Sequence, residues 1–348
     1  MQPTLNPDLC VHTYLPNAHC QHCVDICPHQ AWRWQQDSLS LDTARCDGCR
    51  LCAAHCPEIA ISLSPLPPAE TTEQGKVVWL GCESVLGKDA NIPCLHAISL
   101  GEWAHIAKES TVVYLAEPAC MQCARTTQLG ERLDATQRWN AHLARVNRVR
   151  HANQQLALNV ERLAPEDWLD QKNNASRPAN QPKDMARRGF FGRLLRPAAS
   201  PDAVTQTLKP NTPTAPFASW RQEPDEPPSA NWHAAMPWSP VLNPLTCHAC
   251  QACVRICPHD ALSLNMENGR FQIYAERCTG CGLCEDVCDV QAISVSTDTQ
   301  NAPPAIALSL QTCVHCQAVF AQLPGQLQTK CIPCRKKSHP RGLLRIVE

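Results

Sequence analysis

Three cysteines spaced Cys-x2-Cys-x2-Cys occur at Cys247, Cys250 and Cys253 and again at Cys278, Cys281 and Cys284. Each trio is followed after three residues by a fourth thiol, Cys257 and Cys288. No other feature restricts the fold as much, because so short a segment must curl round one centre to make all its thiols useful. Near the N-terminus Cys46, Cys49, Cys52 and Cys56 keep the same spacing, and Cys20, Cys23 and Cys27 keep it with one member missing. The copies match beyond cysteine: Cys20-Gln-His-Cys-Val-Asp-Ile-Cys-Pro-His-Gln-Ala and Cys250-Gln-Ala-Cys-Val-Arg-Ile-Cys-Pro-His-Asp-Ala agree at nine of twelve positions. One unit is carried twice.

A chain with many cysteines is either a secreted disulfide framework or an intracellular metal protein. The N-terminus, Met1-Gln-Pro-Thr-Leu-Asn-Pro-Asp, has neither a basic n-region nor an apolar h-region, so a cytoplasmic protein with reduced thiols is expected. No uncharged apolar run approaches the roughly 18 residues of a membrane span. With 31 Lys and Arg against 32 Asp and Glu, the net charge of -1 gives no global case for nucleic acid or an anionic membrane as partner. Aromatic residues are only 5% of 348 while Cys numbers 24, so one large conventional core is ruled out and bound metal must supply part of the stability.

Evenly spaced trios argue against zinc, whose sites pair two Cys-x2-Cys knuckles. They suit a cubane cluster, in which three irons can be wrapped by one short loop while the fourth thiolate comes from elsewhere. Residues 10–64 and 241–296 resemble bacterial two-cluster 4Fe-4S ferredoxins. That resemblance implies a βαβ-repeat fold, one-electron transfer at low potential, and an exchange of the fourth ligand between the two motifs of each unit. It assigns Cys247, Cys250, Cys253 and Cys288 to one cluster and Cys278, Cys281, Cys284 and Cys257 to another. Asp289 stands where a proline is usual, a departure that concerns loop stiffness.

In the N-terminal copy the same rule gives Cys46, Cys49, Cys52 and Cys27 one cluster and leaves Cys20, Cys23 and Cys56 one ligand short, because Asn17 occupies the matching position. Cys10 is the candidate, with Pro16-Asn17 able to turn the chain back. His12 and His19 are rivals, as is a three-iron cluster. Trp32, Trp34, Phe271 and Tyr274 are expected in small cores that also shield the clusters.

Between the units, β-branched runs at Lys76–Leu80 and Thr111–Ala116 and a helical stretch from about Thr126 to Leu156, with Leu129, Leu133, Trp139, Leu143 and Val146 along one face, predict a small α/β domain. Cys82, Cys120 and Cys123 fall just past its strand ends, where ligands collect in parallel sheets, and Cys94 sits in Ile-Pro-Cys-Leu-His, so the four could converge on one metal. A fifth iron-sulfur cluster, a structural zinc and unligated thiols all remain open there. Residues 171–240 turn to Pro, Ala, Ser, Asn and Gln and predict a linker. Within it the basic stretch Arg187–Arg196 reads as a peripheral docking helix or a solvated segment. At the C-terminus Cys313, Cys316, Cys331 and Cys334 have zinc-ribbon spacing, with Phe320 beneath the metal; rubredoxin-like iron is the alternative.

The expected class is therefore α+β: ferredoxin-like domains over 1–66 and 241–298, an α/β domain over 76–165, a linker over 171–240 and a ribbon over 308–340. No nucleotide-binding glycine motif or Ser/His/Asp order is found, so a carrier without its own substrate site is expected, passing electrons between a donor and an acceptor. The tandem arrangement also resembles accessory polyferredoxins of bacterial molybdoenzymes such as formate dehydrogenase. That likeness offers a second role, docking on such an enzyme to assist its maturation.

Overall fold

The computed structural model describes residues 2–35, 38–63, 66–72, 75–109, 112–129, 138–175, 215–220, 229–297 and 303–336. Leu133 and the basic stretch Arg187–Arg196 lie outside the described residues.

The two cysteine-rich units share one plan. In the first, Trp32–Gln35 pairs antiparallel with Ser38–Leu41, Thr4–Leu5 pairs with Ile61–Ser62, and two short helices, His22–Asp25 and Leu51–His55, lie between. In the second, Leu262–Asn265 pairs with Arg270–Ile273, Ser239–Leu242 with Ile293–Ser296, and the helices are Ala252–Ile256 and Leu283–Asp286. The plan depends on a backbone conformation that most side chains avoid. Three residues after the fourth cysteine of each motif, Gln30, Ile59, Asp260 and Gln291 have φ of 51, 52, 51 and 50°. A strained conformation that recurs at four matching positions is a designed turn rather than an accident.

The middle domain has a conventional core. Its sheet runs in the order Glu70–Thr72, Gly75–Leu80, Val112–Ala116, Asn159–Leu163, with the first pair antiparallel and the other two parallel. Every residue of Val112–Ala116 is buried, as a central strand covered on both faces requires. On one face Leu80, Val113 and Leu115 meet Trp103 of the helix Leu100–Glu109 and Val146 and Val149 of Arg138–Ala152. On the other, Trp79 stacks on Tyr114 at 4.4 Å and receives the edge of Trp168 from the helix Pro165–Ala175.

The stretch 171–240 is not linker throughout, which corrects the sequence reading. The helix Pro165–Ala175 crosses its first boundary, Phe217 and Trp220 are buried in the middle core, the helix Ala230–Ala235 packs on Arg138–Ala152, and Ser239–Leu242 is a strand of the second unit. Its average composition is polar, but Phe217, Trp220, Trp232 and Met236 are enough to dock it. The strand Ala305–Ala307 then adds to the second unit's hairpin beside Arg270–Ile273. That close approach fixes Gly269, which has φ +61° and whose missing Cβ would stand 2.7 Å from the Leu308 carbonyl oxygen. Among the described residues no helix is long and apolar enough to cross a membrane.

The Cys82 loop is pinned by Asn91, which accepts from the Gly81 N–H at 2.9 Å and donates to the Trp79 carbonyl at 2.7 Å. Replacing Asn91 with Ala leaves both backbone groups unpaired. A loss of about 1–2 kcal/mol is expected in chemical denaturation of the holo chain.

Candidate metal centres

Three of the four quartets that the ligand-exchange rule groups together line a common cavity. Cys27, Cys46, Cys49 and Cys52 line a space of about 320 Å³ with Trp32 and Ala31. Cys10, Cys20, Cys23 and Cys56 line about 400 Å³ with Leu5, Val11, Trp34 and Ile61. Cys257, Cys278, Cys281 and Cys284 line about 310 Å³ with Leu262 and Val295. Cys247, Cys250, Cys253 and Cys288 converge at the other end of the second unit, where burial pushes the Cys253 thiol up to about 12 and its three neighbours add to the shift.

In the N-terminal copy the structure places Cys10 beside Cys20, Cys23 and Cys56. Asn6 caps the turn Pro7–Leu9 through the Asp8 N–H, and this turn delivers Cys10 to the cavity. A turn closed from the Ala18 N–H to the Leu15 carbonyl then brings Cys20 back alongside it. His12 Nε2 lies 2.9 Å from the Cys20 carbonyl oxygen, and its ring packs edge-on against Trp34. His19 is directed to Asp286, at 2.7 Å. Cys10 lines the cavity with the other three thiols; His12 lines it too, with its ring nitrogens directed at the Pro16 and Cys20 carbonyls, whereas the His19 ring turns away to Asp286.

Four alanines escaped the sequence reading. The N–H groups of Ala31, Ala60 and Ala292 donate to Cys27, Cys56 and Cys288 sulfurs at 3.2, 3.3 and 3.2 Å, and Ala261 donates likewise to Cys257. The signal was present as an alanine four residues after the last cysteine of every motif. Such N–H···S bonds favour the charged thiolate over the thiol. Trp32 goes beyond shielding: its indole N–H donates to Cys52, whose thiol burial nonetheless pushes up to about 11. Trp34 is 38% exposed, whereas Phe271 is buried in the second unit's core. Gly280, between Cys278 and Cys281, has φ +78°, and a Cβ there would press on the Trp238 ring at 3.1 Å.

The two units touch. Glu58, 1% exposed, accepts from Thr279 Oγ1 at 2.7 Å and pairs with His259 Nε2 at 2.8 Å. Glu58 follows Cys56-Pro57 and His259 follows Cys257-Pro258, so matching loops of the two units meet face to face. Burial raises the Tyr14 hydroxyl, helped by Glu58, Asp8 and, from the second unit, Cys281. Inside each unit the reach continues, from Cys52 to Cys23 and from Cys253 to Cys284.

In the middle domain, Cys82 follows the strand Gly75–Leu80 and Cys120 follows Val112–Ala116, while Cys94 lies on the loop pinned by Asn91. Burial pushes Cys94 up to about 12 and Cys120 up to about 11, with Cys82 adding to both and Cys123 adding to Cys120. In the ribbon, Cys313, Cys316, Cys331 and Cys334 sulfurs all lie within 4.8 Å of one another, with Phe320 packed against them as the sequence implied.

A family model described as a 4Fe-4S dicluster domain matches residues 246–292. Hydrogenase-4 component A of Escherichia coli is 34% identical over 82 residues, which are 23% of this chain and 39% of that protein. A ferredoxin of Pyrobaculum islandicum is 40% identical over 58 residues, 17% of this chain and 53% of its own length. The chain thus spans about half or less of these two relatives. Pyruvate synthase subunit PorD of Thermotoga maritima is 32% identical over 91 residues, 24% of this chain and 90% of that subunit. With clustered thiols in apolar cavities, a repeated thiolate-binding backbone and these relatives, the chain belongs to the 4Fe-4S ferredoxin-type proteins.

Proposed function

We propose that this chain relays single electrons through four 4Fe-4S clusters arranged in one row. The ligand sets are Cys27, Cys46, Cys49 and Cys52; Cys10, Cys20, Cys23 and Cys56; Cys257, Cys278, Cys281 and Cys284; and Cys247, Cys250, Cys253 and Cys288. The observation that carries this reading is the buried Glu58 contact, which sets the second quartet against the third and makes two tethered pairs into one array. When bound, each cluster supplies a site that takes up and releases one electron without breaking bonds.

The protein's own part is threefold. The thiols bind, the alanine and indole N–H groups stabilise negative charge on sulfur, and apolar walls exclude water, all of which influence potential. Cys250 is exposed, which suits electron exchange with a partner at that end. The partner is a redox enzyme, a class supported by relatives named as a hydrogenase component and a pyruvate synthase subunit.

The ribbon holds a structural zinc. Cys316 and Cys331 sulfurs stand 3.6 Å apart, close to the roughly 3.8 Å that a tetrahedron with bonds of about 2.3 Å requires. Four thiolates fill its coordination, and Gln326 Nε2 ties the module to the Cys247 carbonyl at 2.8 Å.

Iron, sulfide and zinc should be counted on anaerobically purified chain, with paramagnetic resonance during a potentiometric titration. At least about sixteen irons, one zinc and one-electron steps with mutually interacting signals are expected. Iron near zero with several zincs after reconstitution would replace the relay with a zinc-rich interaction protein.

A further inference from the structure

We infer that Cys82, Cys94, Cys120 and Cys123 hold a further iron-sulfur cluster, which extends the row beyond the Cys27, Cys46, Cys49 and Cys52 site. The inference rests on the relay reading for its neighbour, but its ligands belong to a separate domain and can be tested apart from it.

Convergence is the first observation. The four thiols come from loops after two adjacent parallel strands and from the segment between them; Cys120 and Cys123 are a Cys-x2-Cys pair, but local spacing does not account for their meeting Cys82 and Cys94. Cys82 and Cys94 are 5% and 8% exposed. The Cys82 and Cys94 loops are zipped together, by a parallel bridge between Cys82 and Ile92 and by Asn91. Cys94 and Cys120 each lie within electrostatic reach of Cys82, and Cys120 within reach of Cys123. The His96 N–H donates to Cys94, the type of bond that the alanines make in the ferredoxin units.

Donor spacing favours a cluster over a single ion. A four-thiolate zinc holds its sulfurs about 3.8 Å apart. Among the described residues, the ribbon cysteines are the group whose donors all fall within 4.8 Å of one another. The middle four do not meet that spacing, and neither do the four quartets of the ferredoxin units. A cluster, whose iron and sulfide atoms stand between the thiolates, does not need so close an approach.

Position gives the site its role. Cys94 shares a buried apolar cluster with Cys27, Cys49 and Cys52 of the first unit. Between the two thiol groups lies Arg125, which donates to Asp47 at 2.7 Å, to the Pro93 carbonyl at 2.7 Å and to Glu83 at 2.9 Å. It joins the residues next to Cys46, Cys82 and Cys94 and places a cation between two anionic centres. An electron leaving the Cys27, Cys46, Cys49 and Cys52 site oxidises that cluster by one and reduces the further one by one, with no proton or bond change.

The test compares the full chain with Cys82→Ser/Cys120→Ser, both purified anaerobically, for iron, acid-labile sulfide and zinc. The double variant is expected to lose about four irons, or about two for a binuclear cluster, with a matching loss of sulfide and unchanged zinc. A loss of zinc instead, or no change in either metal, overturns the inference. The difference between the two proteins reports this site, while the iron left in the variant reports the four-cluster reading, so the two can fail separately. Should the variant misfold, Mössbauer counting on the unmodified chain decides: iron beyond about sixteen per chain supports the site and sixteen overturns it.

Discussion

Chelating iron from the intact chain should unfold both cysteine-rich units and leave the middle sheet folded. Among the described residues the contiguous buried cluster of the second unit is small, Leu242, Leu262, Phe271, Ile273, Cys284 and Ile293, and Cys284 is itself a thiol of the 310 Å³ cavity. Each unit has short strands and helices of four or five residues, lengths that are marginal without tertiary support. Metal binding therefore stands in for a core, and structural metal sites contribute on the order of 10 kcal/mol to folding. The middle domain is the opposite case, with Trp103, Leu80, Val113, Val146 and Val149 wholly or almost wholly buried and independent of metal. Hydrogen exchange on the chelated chain checks this. Amides of Trp32–Gln35 and Leu262–Asn265 should lose protection, while those of Val112–Ala116 keep it. Survival of the Leu262–Ile273 hairpin after complete iron loss would show that the apolar residues suffice. The proton balance gives a second readout. Burial pushes the Cys56 and Cys278 thiols up to about 11 and 12. They carry protons at neutral pH, so loading with metal releases protons and acid promotes metal loss.

The parts of this architecture that were legible in the sequence are those whose physics is local. A cluster loop needs its thiols at fixed spacing, so the ligand sets can be read without knowing the fold. Cys10 was reachable as a candidate only by asking which thiol could complete Cys20, Cys23 and Cys56, because its route to their cavity depends on two turns, at Pro7–Leu9 and Leu15–Ala18. The strands Gly75–Leu80 and Val112–Ala116 announce themselves as apolar runs, whereas Asn159–Leu163, half-exposed at the sheet edge, does not. Residues 215–220 were masked by average composition, although burial depends on individual side chains such as Phe217. The Glu58 contact was not legible at all. Its partners are 201 and 221 residues away, and in their own loops a Glu, a His and a Thr look like ordinary surface residues. Their burial exists only once the units meet.

Glu58→Ala should separate the two ferredoxin units electronically while each keeps its own iron. The carboxylate is 1% exposed and satisfied from both sides, and a carboxylate oxygen can only accept, so Thr279 Oγ1 and His259 Nε2 are both donors to it. Removing it leaves the His259 side chain, 5% exposed, with its ring nitrogen unpaired in a dry interface. Breaking such a pair costs about 3 kcal/mol. Asp286 also bridges the units, accepting from the His19 backbone N–H at 2.9 Å, and its ion pair with the His19 ring, 88% exposed, is worth little in water. The expected readout is a resonance spectrum of two separate two-cluster units in place of one coupled array, with slower equilibration between them and an unchanged iron count. Glu58→Gln keeps an acceptor for Thr279 and should fall between the two. The charge itself matters as well. Glu58 raises the thiols of Cys281, Cys257 and Cys20 on both sides of the contact, after the larger effect of their burial. A negative charge held between two anionic clusters opposes each added electron, so both variants should raise the potentials of the two inner sites and leave the Cys247, Cys250, Cys253 and Cys288 site nearly unmoved. Unaltered spin coupling in Glu58→Ala, with stability also unchanged, would mean that other contacts hold the row together. Raised inner potentials with the coupling intact would mean that the carboxylate tunes the row without assembling it.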